Sequence, residues 1–243
     1  MARFVLIHGA FRGAWAWDRV VPLLAGHQVV ARSLPGAGER FDGTRPLVRL
    51  GDYVDDVLRW LDEIDVIDAA DRTGGRAKVV LVGHSQGGVV ALAVAAAAPD
   101  RVARVLLLDS PAPAPGTSTA EVVPPEVRAK YGDPPPPETW LEPTPMPVDE
   151  ENGLDEELVA WANPRLTPSP AGPAFDPLPF GGESVPITYA FFSRTPAYYP
   201  CRHTRDHLDA QGTAYTLIDA GHDAPLTHPV QVAALLLLLH PLA

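Results

Sequence analysis

A serine set two residues from a glycine on either side, in Gly83-His84-Ser85-Gln86-Gly87, has the G-x-S-x-G spacing of a strand-to-helix turn that presents a nucleophile. The run Lys78–Val82 before it is β-branched and apolar, as in a strand buried on both faces of a parallel sheet. Residues 89–98 are apolar at nearly every position and stop at Pro99, which suits a buried helix. A reversal this sharp strains its central residue, and the flanking glycines let the two backbones pass without a Cβ clash. Ser85 would then stand at a helix N-terminus, where free N–H groups and the dipole favour a developing negative charge. The plainer alternative is a glycine-rich turn with a spectator serine.

A hydroxyl needs a base to become a nucleophile, and an imidazole on another loop at the same sheet edge is the natural one. His222 fits, because it follows the last expected strand (Ala214–Ile218) on a glycine-flanked loop. His84 lies inside the turn with its side chain directed away from Ser85, and His8 shapes the loop after the first strand. His203, His207, His228 and His240 fall in polar or helical segments. The oxyanion formed on a carbonyl needs two backbone donors. The Gln86 amide is one; Ala10, in His8-Gly9-Ala10, is the expected second, with Phe11 as the neighbour that could replace it.

These groups need a scaffold. Phe4–Ile7, Gln28–Ala31, the central strand, Val102–Asp109, Ile187–Phe192 and Ala214–Ile218 read as strands. Helices are expected from the His8–Trp17 loop to about Ala25, from Asp52 to Asp68, after the elbow, and from Val230 to Leu239. Strands alternating with helices imply a parallel sheet covered on both faces. The 243 residues fit one domain with an insert. Of the 28 prolines, 18 fall between Pro111 and Glu183, where regular patterning fails and only Val122–Tyr131 and Leu154–Ala162 look helical. A structureless loop of that length is disfavoured, so a proline-rich cap over the site is expected. The boundaries are 1–110 and 184–243 for the core and 111–183 for the cap.

A formal net charge of −11 opposes binding to nucleic acid. The lone Cys201 excludes an intrachain disulfide. The apolar run Val232–Leu239 is too short for a bilayer, and the start of the chain has no secretory pattern. The expectation is a cytoplasmic protein with a small-molecule substrate, no membrane partner, no cofactor and no metal, and with a homodimer left open.

The order of His-Gly-Ala loop with Gly13-Ala-Trp-Ala-Trp17, Gly-His-Ser-Gln-Gly-Gly elbow, cap and late Gly221-His222 resembles the α/β-hydrolase superfamily, and within it the small esterases of the methyl-ester esterase and hydroxynitrile lyase group. The resemblance covers roughly 1–110 and 185–243. It implies an α/β-hydrolase fold, with Ser85 as nucleophile, His222 as base, and the Ala10 and Gln86 amides as oxyanion hole. In the lyases a lysine follows the histidine; here the position is Asp223, which argues against cyanohydrin cleavage. The usual acid follows the penultimate strand, but Phe192–Pro196 holds no carboxylate. Some members carry the acid after the strand that follows the nucleophile helix, where Asp109 stands. Asp109 either supports His222 or caps its strand; Asp206 and Asp209 are weaker substitutes, Asp219 and Asp223 lie too near His222 in sequence, and a site with no acid is the remaining case.

The reading is therefore a serine hydrolase for an ester, thioester or lactone of a medium-sized apolar acyl compound. A lyase, cyclase or decarboxylase on the same site is the alternative, and a binding protein without turnover the third. Phe11, Trp17, Trp140 and Trp161, with Phe175 and Phe180, are candidates to line the pocket, and equally candidates for plain core.

Overall fold

The computed structural model describes residues 1–70, 78–123, 133–182 and 184–238. Six parallel strands form the main sheet: β1 (Arg3–Ile7), β2 (Gln28–Ala31), β3 (Val79–His84), β4 (Val102–Leu108), β7 (Ile187–Phe192) and β8 (Thr216–Ile218), in the order β2-β1-β3-β4-β7-β8. The long helices are α1 (Leu50–Ala70), α2 (Gln86–Ala97), α4 (Pro200–Gln211) and α6 (Pro229–Leu238), with a one-turn α5 (Ala224–Thr227). Between β4 and β7 lie a two-stranded antiparallel pair, β5 (Trp140–Leu141) with β6 (Ser169–Pro170), and the short helix α3 (Glu156–Ala162). No helix among the described residues is long and apolar enough to cross a membrane.

Strand alternation builds two cores. Val5, Ile7, Leu81, Val105 and Leu107 face α1 and α2, while Phe4, Leu6, Val80, Val82, Leu106 and Leu108 face Trp17, Leu24 and α6. Every residue of α2 from Gly87 to Ala95 is buried, so this helix is apolar all round and sits at the centre of the molecule. Asp176, from the stretch between β4 and β7, accepts the Leu50 amide at the start of α1 (2.7 Å) and pairs with Arg49, tying that stretch to the core.

Two expectations need correction. The helix expected up to Ala25 is a pair of 3₁₀ turns, Ala14–Trp17 and Val21–Leu24. Pro22 lacks the N–H that a continuous α-helix would bond to Asp18, so the run breaks there. The polar segment 202–211 is helix α4, with Pro200 in its first turn, left-handed Gly212 at its end (φ 65°), and Cys201, Thr204 and Leu208 on its buried face. Thr73-Gly74-Gly75, which the sequence marks as a turn into the central strand, and most of Val122–Tyr131 lie outside the described residues.

Contact across the centre depends on absent side chains. A Cβ on Gly87 would lie 2.4 Å from the Ile7 carbonyl oxygen and 2.5 Å from that of His8; on Gly83 it would lie 2.4 Å from the Gly87 oxygen. The start of α2 thus rests directly on the end of β1. Gly87→Ala should cost about 1–3 kcal/mol or more, because backbone and not a movable side chain is in the way. A thermal midpoint equal to that of the parent protein would refute this close approach.

Candidate active site

Every residue of the site leaves the sheet at the carboxyl ends of its strands, the edge where open α/β sheets bind ligands. Ser85 follows β3 directly and has φ 53° and ψ −127°, a conformation that non-glycine residues hold only under constraint. Its amide donates to the Leu108 carbonyl of β4 (3.0 Å) and its carbonyl accepts from Gly88 (3.0 Å), which fixes the elbow between the two strands. Gly9, after β1, lies so near that a Cβ there would meet the Ser85 Cβ at 2.9 Å. Among the described residues, neither the Ala10 nor the Gln86 amide is used by another hydrogen bond.

His222 arrives on the loop after β8 and lies beside Asp109, the residue that follows β4. Its Nδ1 is 2.6 Å from Asp109 Oδ2. That carboxylate is fully buried and also accepts from the Thr195 hydroxyl (2.5 Å) and the Phe192 amide (3.2 Å). Burial opposes its ionisation, but the His222 contact, the Thr195 hydroxyl and the Phe192 amide outweigh burial and hold its carboxyl below the usual range. An ionised Asp109 makes Nδ1 the protonated nitrogen of His222 and leaves Nε2 as the basic one.

The histidine is held from two further sides. His84 Nε2 donates to the His222 carbonyl (2.8 Å), and the two rings pack at a tilt with centroids 4.7 Å apart. Burial, then the nearness of His222, lowers the His84 pKa to about 3, so it stays neutral. Tyr199 packs on the His222 ring at 4.4 Å, and burial raises its hydroxyl to about 12. His8 is a structural residue: its Nε2 accepts from the Leu34 amide (2.9 Å), so Nδ1 carries the proton given to the Gly9 carbonyl (2.8 Å), and burial lowers it to about 4.

Ser85 and His222 line one cavity of about 120 Å³ together with Gly9, Ala10, Phe11, Arg12, His84, Tyr199 and Asp223. A larger cavity of about 450 Å³ lies between α2 and α4 but contains neither group, and so is not where an acyl carbonyl could meet the serine. Asp109, Cys201 and His222 also bring three ligand-type atoms within 4.8 Å of one another. Burial and the adjoining Asp109 push the Cys201 thiol upward, which makes it a protonated donor to that carboxylate, whereas metal ligation needs the thiolate.

A model of the alpha/beta hydrolase family matches residues 4–235. The chain belongs to the alpha/beta hydrolase family. It is 33% identical over 137 residues to a carbendazim hydrolyzing esterase of Nocardioides sp. (strain SG-4G), covering 54% of this chain and 52% of that one. It is 34% identical over 108 residues to methylesterase 7 of Arabidopsis thaliana, covering 44% and 38%. The chain thus spans about half or less of the length of these curated relatives. An extracellular alpha/beta-hydrolase from a Paenibacillus species, described as sharing structural and functional homology with tobacco salicylic acid binding protein 2, superposes with a TM-score of 0.73 at 22% identity, covering 99% of this chain and 100% of that one.

In this member of the alpha/beta hydrolase family, Ser85, His222, Asp109, Ala10, Gln86 and Phe11 are brought together. The expected tryptophans are not. Trp17 is wholly buried in the core against Phe4 and Leu6. Trp140 packs on Phe41 (5.8 Å) and donates to the Pro46 carbonyl (2.9 Å). Trp161 lies edge-on to Trp15 (5.6 Å), under the Arg165 guanidinium. Their bulk fills gaps between layers, and sequence spacing alone cannot separate that from pocket lining. Asp209 holds the Tyr215 hydroxyl (2.7 Å), Asp219 the Ser193 hydroxyl (2.8 Å), and Asp206 is exposed on α4, so none of these supports His222. Tyr199, Thr195 and Arg12 were missed; only Thr195, in the turn that normally supplies an acid, had a positional signal.

The lowered Asp109 carboxyl has a stability consequence. Its contribution is full above the ordinary carboxylate range, about pH 4, and is lost as pH falls through the lower folded value. Urea midpoints of the parent protein and of Asp109→Asn should therefore differ most near neutrality, and the gap should narrow as pH falls below the ordinary carboxylate range. A gap that stays constant across that range would contradict the assignment.

Proposed function

We propose that this protein is a serine hydrolase that cleaves an ester, thioester or lactone of a medium-sized, largely apolar small molecule through an acyl-enzyme on Ser85. The observation that carries the reading is the 2.6 Å contact between His222 Nδ1 and the buried Asp109 carboxylate, which turns the basic Nε2 toward the cavity that Ser85 shares. Relatives named as esterases support the same reading.

Ser85 Oγ attacks the carbonyl carbon while His222 Nε2 takes its proton. The carbonyl electron pair moves to oxygen, where the Ala10 and Gln86 amides receive the charge, aided by the N-terminus of α2. The tetrahedral species collapses, and the leaving oxygen (sulfur, in a thioester) departs with the proton from His222. Water then attacks the acyl-serine, giving its proton to Nε2; collapse releases the acid and returns the proton to Ser85. Asp109 stays ionised throughout, holding the tautomer and stabilising the imidazolium.

Residues 111–183 serve in this reading as the cap. Thr167 donates to the Phe11 carbonyl (3.2 Å), and Asn152 lies against Gly221, where an added Cβ would be 3.0 Å from its side-chain oxygen. The cap thus touches both the oxyanion loop and the histidine loop. Elimination or decarboxylation on the same site would fit a His222 without a supporting acid; the Asp109 contact favours hydrolysis.

Ser85→Ala should lower kcat on a p-nitrophenyl ester by at least about 10³-fold. It should also abolish labelling by a fluorophosphonate. Asp109→Asn should lower kcat by about 10⁴-fold, as the wrong tautomer does in other serine hydrolases. Turnover that survives Ser85→Ala would exclude an acyl-enzyme at this serine.

A further inference from the structure

One charged pair in the cavity wall has no part in the steps above. Arg12 belongs to the loop after β1, two residues beyond the proposed oxyanion donor Ala10. Asp223 follows the proposed base His222. Arg12 Nη2 and Nε lie 2.9 Å and 3.3 Å from the same Asp223 oxygen, Oδ1, and the side chains are only 13% and 17% exposed. The pair therefore joins segments 211 residues apart in a setting where an ion pair is neither cheap to desolvate nor quickly screened.

His222 is already fastened to the elbow through His84 and to the end of β4 through Asp109. The oxyanion loop needs a tether of its own, because its turn is strained: Phe11, between Ala10 and Arg12, has φ 63°. Thr167 grips the Phe11 carbonyl on one side. On the other, the contacts toward the histidine loop among the described residues include apolar packing of Trp17 with Ala220 and Ala224 and of Trp15 and Ala16 with Leu226, and a hydrogen bond from Arg19 to the Leu226 carbonyl (3.3 Å), none of them polar contacts with the two residues that flank the reacting groups.

The charges also need one another. The groups facing His222 are Asp109 after β4, His84 from the elbow, Tyr199 before α4 and the protonated Cys201 within it, and Asp223 with its partner Arg12. Burial opposes ionisation of Asp223, but the Arg12 charge, then the nearness of His222 and the Arg12 hydrogen bond, hold its carboxyl below the usual range. An unpaired Asp223 would add an anion beside the base and close to the developing oxyanion; an unpaired Arg12 would add a cation there. Together they cancel.

We propose that the Arg12–Asp223 pair is a positioning device that sets the spacing of the oxyanion donor relative to His222 while keeping the mouth of the site electrically neutral. This rests on the ester-hydrolase reading and assigns the two residues no contact with the reacting atoms.

The test uses the full chain, a p-nitrophenyl ester and four variants: Arg12→Gln, Asp223→Asn, the two combined, and Arg12→Lys. Each neutralising single change should lower kcat about 10- to 100-fold, the scale of a small misplacement at the reacting centre. KM should stay within about twofold, since substrate binding is not the function removed. The combined variant should be no slower than the slower single, and Arg12→Lys should recover part of the loss. The acid limb of the kcat/KM profile should move to higher pH in Arg12→Gln, to lower pH in Asp223→Asn, and back toward the parent in the combined variant. Multiplying losses, a loss confined to KM, or limbs that do not move apart would overturn the proposal. Thermal midpoints identify a single variant that fails to fold, and the charge-free combination then carries the test against Arg12→Lys. Failure of the unmodified enzyme to react with a fluorophosphonate at Ser85 would remove the hydrolase reading itself and this proposal with it.

Discussion

A carboxylate with almost no solvent contact, stripped of water and compensated by donors from separate parts of the chain, governs this site. Asp109 is paid for by Thr195, the Phe192 amide and His222, and its own amide is fastened to Ala190 of the neighbouring strand at 2.7 Å. Because an ionised group in such surroundings is tolerated only when its acceptor sites are filled, the loops that fill them must be ordered whenever the protein is folded. The position of His222 follows from that electrostatic demand more than from its own flexible loop.

The strain in the backbone points to the same place. Among the described residues, the non-glycine residues with left-handed φ are Phe11, Ser85 and Asp109, at 63°, 53° and 47°. Each immediately follows, or lies a few residues after, a parallel strand, and each turns the chain away from the sheet edge into the site. Conformations that cost of the order of 1–3 kcal/mol each persist only where packing over-determines them. Here the buried helix α2, seated on β1 through side-chain-free contacts, supplies that rigidity.

The scaffold was legible in the sequence because its signals are local. Buried parallel strands are short β-branched runs, and the elbow is a glycine pattern bounded by such a run and an apolar helix. Each main-sheet strand therefore falls within a few residues of its expected place. Helix α4 was missed because Arg, His and Asp dominate its composition, although Pro200 and Gly212 mark its two ends. The choice among carboxylates was not legible, because it depends on which strand end lies across from the last loop, a fact of sheet order. The tryptophans failed for the related reason that a large aromatic residue fits a layer interface as well as a pocket, and only the packing decides.

The β3–α2–β4 unit carries a consequence for how such a protein diversifies. Ser85 and Asp109 sit at its two strand ends, and the Ser85 amide is bonded to the carbonyl of Leu108, the residue just before Asp109. The proposed nucleophile and acid therefore travel together as one contiguous cassette, their separation set by adjoining rungs of a ladder. Insertions, deletions and exchanges in the proline-rich midsection or in the α4 region can rescale the chamber above without disturbing that separation, so lineages sharing this arrangement have freedom to change what they admit while keeping what they do to it.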